Sequence, residues 1–199
     1  MNEQTIRYYD ENAEVFVAGT ENADMRECRE RFLHYLKPRQ KVLDTGCGSG
    51  RDVIAFRDAG YEMDAFDASA EVCRIASEKT GIEVRQLRFE EVEDEEQYDG
   101  IWACASLLHV NPADLPDVMR RLYKLLKPEG VLYASFKYGS GEREKDGRYF
   151  YDLTEDTCRD LLTKTGFQVK ELFVTQDVRN DRSHEQWVNA IAGKTLEGK

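Results

Sequence analysis

The sequence has little of what marks a disulfide-bonded, metal-binding or membrane-spanning protein. Its 199 residues include five cysteines and three histidines, and the cysteines lack the paired spacing of a metal site. An odd number of dispersed cysteines argues against a disulfide framework, so we expect reduced thiols and no bound metal. No apolar run approaches the length of a membrane span, and the first residues lack the basic and apolar regions of a signal peptide. We therefore expect no membrane partner and a cytoplasmic location.

Positive charge is also scarce, which bears on the partners of the protein. The formal net charge is −11 at pH 7, from 28 Lys and Arg against 39 Asp and Glu. Because affinity for nucleic acid depends chiefly on a basic surface, this balance disfavours a nucleic-acid substrate without excluding it. The length, with 41% hydrophobic and 34% charged residues, predicts one globular domain over 1–199. The sequence leaves the oligomeric state open.

Three alternating glycines follow a short apolar segment that contains an acid. Residues 41–45 predict a strand with Asp44 near its end, and Gly46, Gly48 and Gly50 come directly after it. Glycine has no Cβ and adopts positive φ readily, so such a loop can expose backbone N–H groups to a ligand. An ordinary tight turn is the alternative interpretation. We interpret the loop as a ligand cradle where a strand passes into a helix.

A second acid, Asp67, strengthens this interpretation and indicates the kind of ligand. It ends the next predicted strand, residues 60–67, where a carboxylate can accept hydrogen bonds from a ribose diol. The loop lacks the spacing of a dinucleotide fingerprint and the Gly-Lys-Ser/Thr of a phosphate-binding loop. Asp44 would repel a pyrophosphate, whereas it suits a cofactor with an ammonium group and a sulfonium. A nucleotide-dependent oxidoreductase is therefore the weaker alternative.

At these residues the sequence resembles the class I S-adenosylmethionine-dependent methyltransferases, whose first motif is an acid, one residue and then Gly-Cys-Gly-x-Gly. The resemblance implies a Rossmann-like α/β fold, with a seven-stranded, mostly parallel sheet, an antiparallel last strand and helices on both faces. It also implies S-adenosylmethionine as cofactor, S-adenosylhomocysteine as product, and an N-terminal helical lid, residues 1–38, on a core of residues 39–199. The run from Gly48 to Asp52 and the Leu-Leu-His at 107–109 resemble, more narrowly, the small tellurite-resistance-type and related small-molecule methyltransferases.

The order of predicted elements agrees with that fold. Apolar spacing predicts helices over 2–18 and 23–36, and then strands and helices alternate up to a fifth strand that ends at Phe136. The residues from 137 to 152 are predicted as a long connection. The last two predicted strands, 167–174 and 187–192, are joined without a helix and can therefore be antiparallel.

The resemblance also implies which residues contact the cofactor. Asp44 would lie near the methionine ammonium, the glycines along the methionine and ribose, Asp67 on the ribose hydroxyls and Ala68 beside the adenine. Phe89 and Glu90 stand where the family often has an acid near the adenine, and because the usual Asp is missing only backbone contact is expected of them. The full expected set is Asp44, Thr45, Gly46, Cys47, Gly48, Gly50, Asp67, Ala68, Phe89, Glu90 and Ala103.

Ser106 and His109 follow the fourth predicted strand and are the catalytic candidates. Ligands of open α/β sheets bind beyond the carboxyl ends of the strands, which is where both residues should lie. An imidazole with the ordinary pKa of about 6.5 suits proton removal at neutral pH, so His109 is a candidate general base. The alternative is a structural side chain that holds the loop. Neither the Asn/Asp-Pro-Pro-aromatic run of amino-group nucleic-acid methylases nor a Pro-Cys nucleophile is present, and Cys104 is interpreted as a core thiol.

Side chains from the lid and from three later segments are candidates for acceptor binding. Tyr9 belongs to an aromatic group in the first predicted helix that either covers the site or packs against the sheet. Cations that could hold a small anionic acceptor are Lys137, Arg148 and Arg179, with Arg182 and His184 near them. The alternative is that these cations pair with neighbouring acids, namely Asp152, Asp177 and Asp181.

Together these observations predict an S-adenosylmethionine-dependent methyltransferase that acts on a small-molecule acceptor, which could be anionic. Two alternatives keep the cofactor: a methyltransferase acting on protein or RNA, and a non-catalytic module that binds S-adenosylmethionine. The acceptor atom stays open, because methyl transfer to oxygen, nitrogen, sulfur or a metalloid uses the same cofactor-binding half.

Overall fold

The computed structural model describes residues 2–93, 95–179 and 182–195, and in them a large sheet is flanked by helices. The helices are α1 (Glu3–Glu11), α2 (Ala13–Thr20), α3 (Arg26–Leu33), α4 (Arg51–Asp58), α5 (Ala70–Thr80), α6 (Leu115–Leu125) and α7 (Glu155–Lys164). The strands are β1 (Lys41–Thr45), β2 (Glu62–Asp67), β3 (Val84–Gln86), β4 (Tyr98–Ala103), β5 (Leu126–Lys137), β6 (Gly141–Lys145), β7 (Arg148–Asp152), β8 (Gln168–Gln176) and β9 (Gln186–Gly193).

In the described residues the large sheet has seven strands in the order β3-β2-β1-β4-β5-β9-β8. The pairs from β3 to β5 are parallel, and β9 lies antiparallel to both of its neighbours, β5 and β8. This confirms the expected Rossmann-like sheet with an antiparallel last strand. The strand order reverses between β1 and β4, and open α/β sheets bind their ligands at such a point, beyond the carboxyl ends of the strands.

Two apolar clusters cover the two faces of the sheet. Neighbouring residues on β4 show the division, because Ile101 belongs to the cluster beneath α6 and α7 and Trp102 to the cluster beneath α3, α4 and α5. Trp102 is fully buried and stacks on Tyr133 of β5, with 3.9 Å between the ring centroids. Alternate side chains of a strand point to opposite faces, so a strand that is apolar throughout needs helices on both.

In the described residues no helix is long and apolar enough to cross a membrane.

The helix ends follow local capping rules where the sequence shows them. Ser69 caps α5 by accepting the N–H of Val72, and Gly81 ends it with a φ of 72°.

The predicted single helix over 2–18 is wrong, because the chain breaks at Asn12 into α1 and α2. Asn12 has a φ of −120°, and its side-chain amide donates to the carbonyl of Tyr8 at 2.8 Å. The predicted helix over 23–36 is also shorter, since α3 begins at Arg26.

The predicted long connection over 137–152 is corrected in two ways. Strand β5 continues through Lys137, and the residues after it form the antiparallel hairpin of β6 and β7. Its turn is Asp146-Gly147, with φ angles of 51° and 75°, the mirror-image turn that suits the twist of a two-residue hairpin. The hairpin lies against α1, where the N–H of Tyr149 donates to Oγ1 of Thr5 at 3.0 Å.

Gly50 and Gly81 allow a matched test of why the loop after β1 needs glycine. Both have a φ of 72°, but a Cβ on Gly50 would lie 2.5 Å from Cγ2 of Thr80, whereas a Cβ on Gly81 would meet nothing within 4 Å. We expect Gly81→Ala to cost about 1 kcal/mol of unfolding free energy from backbone strain. Gly50→Ala should cost roughly 1–3 kcal/mol more, because the overlap adds to that strain. Urea denaturation measures both, and equal losses would contradict the packing argument.

Candidate active site

A cavity of about 510 Å³ opens beyond the carboxyl ends of β1, β4 and β5. Its wall includes the glycine loop, the segment after β4, the ends of β5 and β8, and side chains of α1, α2 and the hairpin. A smaller cavity of about 50 Å³ lies beside it, between Asp67, Ala68, Phe89 and the side chains of Ile6 on α1 and Phe16 on α2. The expected ligand side of the sheet therefore carries the concave site.

The glycine loop is held by its neighbours as well as open to the cavity. The N–H groups of Gly46 and Cys47 donate to the carbonyl of Phe66 at 2.8 and 3.1 Å, which fixes the loop to β2. A Cβ on Gly46 would lie 2.5 Å from Cβ of Ser106, and a Cβ on Gly48 would lie 3.2 Å from the Phe16 ring. Protein atoms therefore account for the need for glycine at these positions, while the loop backbone still faces the cavity.

Asp44 is a buried carboxylate with no hydrogen bond or ion pair to the described part of the chain. Asp44 is 2% exposed and lines the large cavity. Burial, followed by the nearby charge of Asp52, raises the pKa of Asp44 well above its ordinary value, although Arg51 opposes the shift. A ligand cation at this point would stabilise the ionised carboxylate.

Asp67 connects the loop to the helix after β2. One carboxylate oxygen accepts the N–H of Gly48 and the other the N–H of Ser69, both at 3.1 Å. Burial raises the pKa of Asp67 in spite of these backbone donors. Each oxygen has a further lone pair, so the carboxylate can still accept from a diol.

The expected cofactor contacts divide into two groups. Those that line one of the two cavities are Asp44, Gly46, Cys47, Gly48, Asp67, Ala68 and Phe89. The remaining four lie outside both linings: Thr45, Gly50, Glu90 and Ala103. The hydroxyl of Thr45 donates to the carbonyl of Trp102 at 3.3 Å, so that side chain is used within the sheet.

Ser106 lies at the turn after β4, where the backbone is strained. Ala105 has a φ of 56°, and its N–H donates to the Ser135 hydroxyl at 2.9 Å. Ser106 lines the small cavity, and its buried Oγ has no hydrogen-bond partner within the described residues. Such a hydroxyl is available to a ligand, because an unpaired buried polar group is costly.

His109 uses both ring nitrogens. Nδ1 lies 2.6 Å from the carbonyl oxygen of Tyr149, which can only accept, so Nδ1 carries the proton. Nε2 lies 2.9 Å from the Tyr9 hydroxyl and therefore accepts from it. Burial, with a contribution from Arg148, lowers the pKa of His109 to about 4, and burial raises the pKa of Tyr9 to about 12. The hydroxyl of Tyr9 on α1 is thus hydrogen-bonded to the neutral imidazole.

Two of the expected acceptor-binding cations are already paired. Asp177 accepts from Lys137 at 2.8 Å, from Arg179 at 2.6 Å, and from the Trp187 indole at 3.0 Å. Burial alone would raise the pKa of Asp177, but the hydrogen bonds of Arg179 and Lys137 outweigh it and lower the pKa. Lys137 also pairs with Glu185. Pairing with neighbouring acids therefore describes Lys137 and Arg179, whereas Asp181 lies outside the described residues.

Arg148, the third expected acceptor-binding cation, lies in a different environment from Lys137 and Arg179. It is 9% exposed, lines the large cavity, and lies over the Tyr8 ring with 4.5 Å from Cζ to the centroid. Asp152 pairs with Arg143 on the neighbouring strand, not with Arg148. The sequence did not indicate this difference among the cations.

Sequence reasoning also missed a buried network on the cavity wall. Asp52 accepts from Arg29 and Arg51, each at 2.6 Å, and from the Trp102 indole at 3.0 Å. Burial alone would raise the pKa of Asp52, but Arg51 and then Arg29 outweigh it and lower the pKa. The Arg-Asp pair directly after the glycine loop was the available signal.

The fold and the cavity together are those of an S-adenosylmethionine-dependent methyltransferase. A model described as "Methyltransferase domain" matches residues 17–172, and the chain belongs to this family. The oxidoreductase alternative is therefore wrong. The narrower resemblance to tellurite-resistance-type enzymes stays a prediction.

Known proteins similar to this chain include other methyltransferases. An uncharacterised methyltransferase of Staphylococcus carnosus is 26% identical over 160 residues, 73% of this chain and 77% of that protein. Phosphoethanolamine N-methyltransferase 3 of Arabidopsis thaliana is 34% identical over 126 residues, 58% of this chain but 25% of that protein. The Burkholderia thailandensis 1,6-didemethyltoxoflavin-N1-methyltransferase, solved with 1,6-didemethyltoxoflavin and S-adenosylhomocysteine, has a TM-score of 0.78 at 23% identity. That match covers 96% of this chain and 85% of the other, and it shows a shared fold.

The protonation of His109 predicts a specific pH dependence of stability. Its pKa is about 6.5 in the unfolded chain and about 4 in the folded one, so below pH 6.5 the unfolded state binds the extra proton. We expect this residue to remove about 3 kcal/mol of unfolding free energy between pH 7 and pH 4.

The measurement is urea denaturation across that range for the wild type and for His109→Asn. The two curves of unfolding free energy against pH should converge as the pH falls, because the variant lacks the titrating group. Parallel curves would contradict a buried neutral imidazole. NMR of the His109 ring at pH 7 should show the proton on Nδ1.

Proposed function

We propose that the protein transfers a methyl group from S-adenosylmethionine to a small-molecule acceptor bound in the large cavity. The observation that carries this proposal is the cavity itself, which joins Asp44 and the glycine loop to the Tyr9 and His109 pair. Its volume of about 510 Å³ is within the range of small-molecule sites. A cytoplasmic location belongs to the same proposal and is supported by the five free cysteines.

The residues present fit the methionine end of the cofactor. Asp44 is buried without a partner and repelled by Asp52, so it would gain from the methionine ammonium. Asp67 would accept from the ribose hydroxyls while it keeps its bonds to Gly48 and Ser69. A buried carboxylate aimed into a cavity is costly without a cation, and a bound ammonium offsets that cost.

The adenine end is less open in this conformation. The cavity beside Ala68 and Phe89, about 50 Å³, has room for one or two waters. Ile6 and Phe16, from α1 and α2, line it. Adenine binding beside Ala68 therefore requires the side chains of Ile6 and Phe16 to move outward, which agrees with the role expected of the N-terminal lid.

When bound, S-adenosylmethionine supplies a methyl group that its sulfonium makes electrophilic. The chain then has to orient the acceptor and take its proton, and Tyr9 presents the hydroxyl for this. The acceptor proton passes to the oxygen of Tyr9 while the proton of Tyr9 moves to Nε2 of His109. Nδ1 stays bonded to the carbonyl of Tyr149. Because the pKa of His109 is about 4, the imidazole takes this proton only while methylation makes the acceptor group more acidic.

The alternatives with a larger acceptor have less support. Tyr9, Phe16 and Phe150 line the cavity from the lid and the hairpin, so a protein or RNA would need both to be displaced. The net charge of −11 also disfavours RNA. A non-catalytic binding module would bind the cofactor in the same way and would show no turnover.

Asp44 and Asp67 provide the test of the cofactor site. We expect Asp44→Asn and Asp67→Asn each to weaken S-adenosylhomocysteine binding about 10- to 100-fold, because each removes a charged hydrogen-bond acceptor. Asp44→Asn should also raise the melting temperature of the ligand-free protein, since it removes an uncompensated buried carboxylate.

Isothermal titration calorimetry measures the affinities, with NAD titrated in parallel. Asp64→Asn is the matched control. Asp64 lies on β2, as Asp67 does, but it pairs with Lys41 and Tyr98. Unchanged affinity in both test variants, or heat from NAD alone, would overturn the proposed cofactor site.

Tyr9→Phe tests the proton path. The change removes only the hydroxyl, so we expect kcat to fall about 100-fold or more with S-adenosylhomocysteine affinity unchanged. Turnover is measured as S-adenosylhomocysteine release with an acceptor found by screening small molecules. Tyr8→Phe is the control, because it keeps the ring that faces Arg148. An unchanged kcat in Tyr9→Phe would assign that hydroxyl a structural role.

A further inference from the structure

Arg148 is a buried cation whose charge is poorly compensated within the described residues. Its carboxylate partner there is Asp146, 3.6 Å away on the hairpin turn, with a side chain that is 59% exposed. An ion pair of that length and exposure contributes little. The cost of burying the guanidinium therefore has to be met by something else.

Other cations on the cavity wall differ in this respect. Arg51 bonds to buried Asp52, and Lys137 and Arg179 bond to buried Asp177. Each of them therefore has an ion pair with a carboxylate that is itself hardly exposed. These cations are not available to an anion without breaking a buried pair, which is costly.

The guanidinium of Arg148 is also oriented and has a donor to spare. Aromatic rings lie on it, with its Cζ 4.5 Å from the Tyr8 centroid and 5.4 Å from the Phe150 centroid. Its Nε is buried and has no hydrogen-bond partner among the described residues. Rings against a guanidinium leave its N–H edge free, and the edge formed by Nε and one Nη matches a carboxylate with two parallel hydrogen bonds.

We propose that the acceptor is a small monoanion whose carboxylate binds the Nε edge of Arg148. This inference rests on the proposed function, and it names the class of acceptor. A single undercompensated cation matches one negative charge, whereas a dianionic phosphate would leave a buried charge in excess. Because Arg148 lies beside Tyr9 and lowers the pKa of His109, the bound carboxylate is close to the hydroxyl that takes the acceptor proton.

The test is calorimetry on protein saturated with S-adenosylhomocysteine. The probes are carboxylate and carboxamide pairs of increasing size, from acetate and acetamide to 2-hydroxybenzoate and 2-hydroxybenzamide, with inorganic phosphate as a separate arm. We expect at least one carboxylate to bind about 10-fold or more tightly than its amide. Arg148→Gln should weaken that carboxylate about 10- to 100-fold, and Arg148→Lys should weaken it less.

The control variant is Lys145→Gln, which removes the same charge from the exposed strand of the same hairpin. It should leave carboxylate affinity unchanged, whereas an equal loss in Lys145→Gln would reduce the effect to long-range charge and overturn the proposal. The proposal is also overturned if amides bind as well as carboxylates, if phosphate binds more tightly than any carboxylate, or if no carboxylate binds. Retained S-adenosylhomocysteine binding separates these failures from failure of the cofactor site. A melting temperature of Arg148→Gln that is no lower than that of the wild type shows that the variant is folded.

Discussion

The buried carboxylate of Asp52 is the contact on which the site depends most. It joins α3 through Arg29, α4 through Arg51 and β4 through the Trp102 indole, and Arg51 also donates to the carbonyl of Thr20 at the end of α2. Removing one partner of such a network leaves an uncompensated buried charge, which typically costs about 3–5 kcal/mol. The network therefore fixes the cavity wall beside the glycine loop. It also determines the electrostatics of that wall, because the charge of Asp52 is one reason why the pKa of Asp44 is raised.

Most charged side chains on the cavity wall are paired in local groups, and the exceptions are informative. Asp52 is paired with Arg29 and Arg51, and Asp177 is paired with Lys137 and Arg179. Asp44 and Arg148 have no buried partner of opposite charge within the described residues, and they carry opposite signs. In the proposed mechanism the first meets the ammonium of the cofactor and the second meets the acceptor. A site that leaves two buried charges for its ligands is less stable when empty, and the same free energy then favours binding of both.

The fold could largely be predicted from the sequence, whereas the acceptor side could not. The glycine loop, Asp67 and the caps of α5 are local sequence patterns, and the structure contains each of them at the predicted place. Strand β6 has no such pattern, because Gly141 to Lys145 is polar throughout and gives no apolar alternation. Its Asp146-Gly147 turn was the available signal. That hairpin determines what Nδ1 of His109 bonds to and where Arg148 lies, so the missed element is the one that shapes the proposed acceptor pocket.

The lid contributes chemistry as well as cover in the proposed mechanism. Helix α1 is held in place by Asp10, which accepts the Ser69 hydroxyl at 2.6 Å, and by Thr5, which accepts the N–H of Tyr149. These two bonds join it to the cofactor side through α5 and to the acceptor side through the hairpin. Tyr9 lies between them on the same helix, and its hydroxyl bonds to His109. The cavity beside Ala68 is too small for adenine in this conformation, so Ile6 and Phe16 have to shift while Tyr9 keeps its bond to His109. The proposed proton path therefore requires a local movement of these two side chains, because outward movement of the whole of α1 would break that bond.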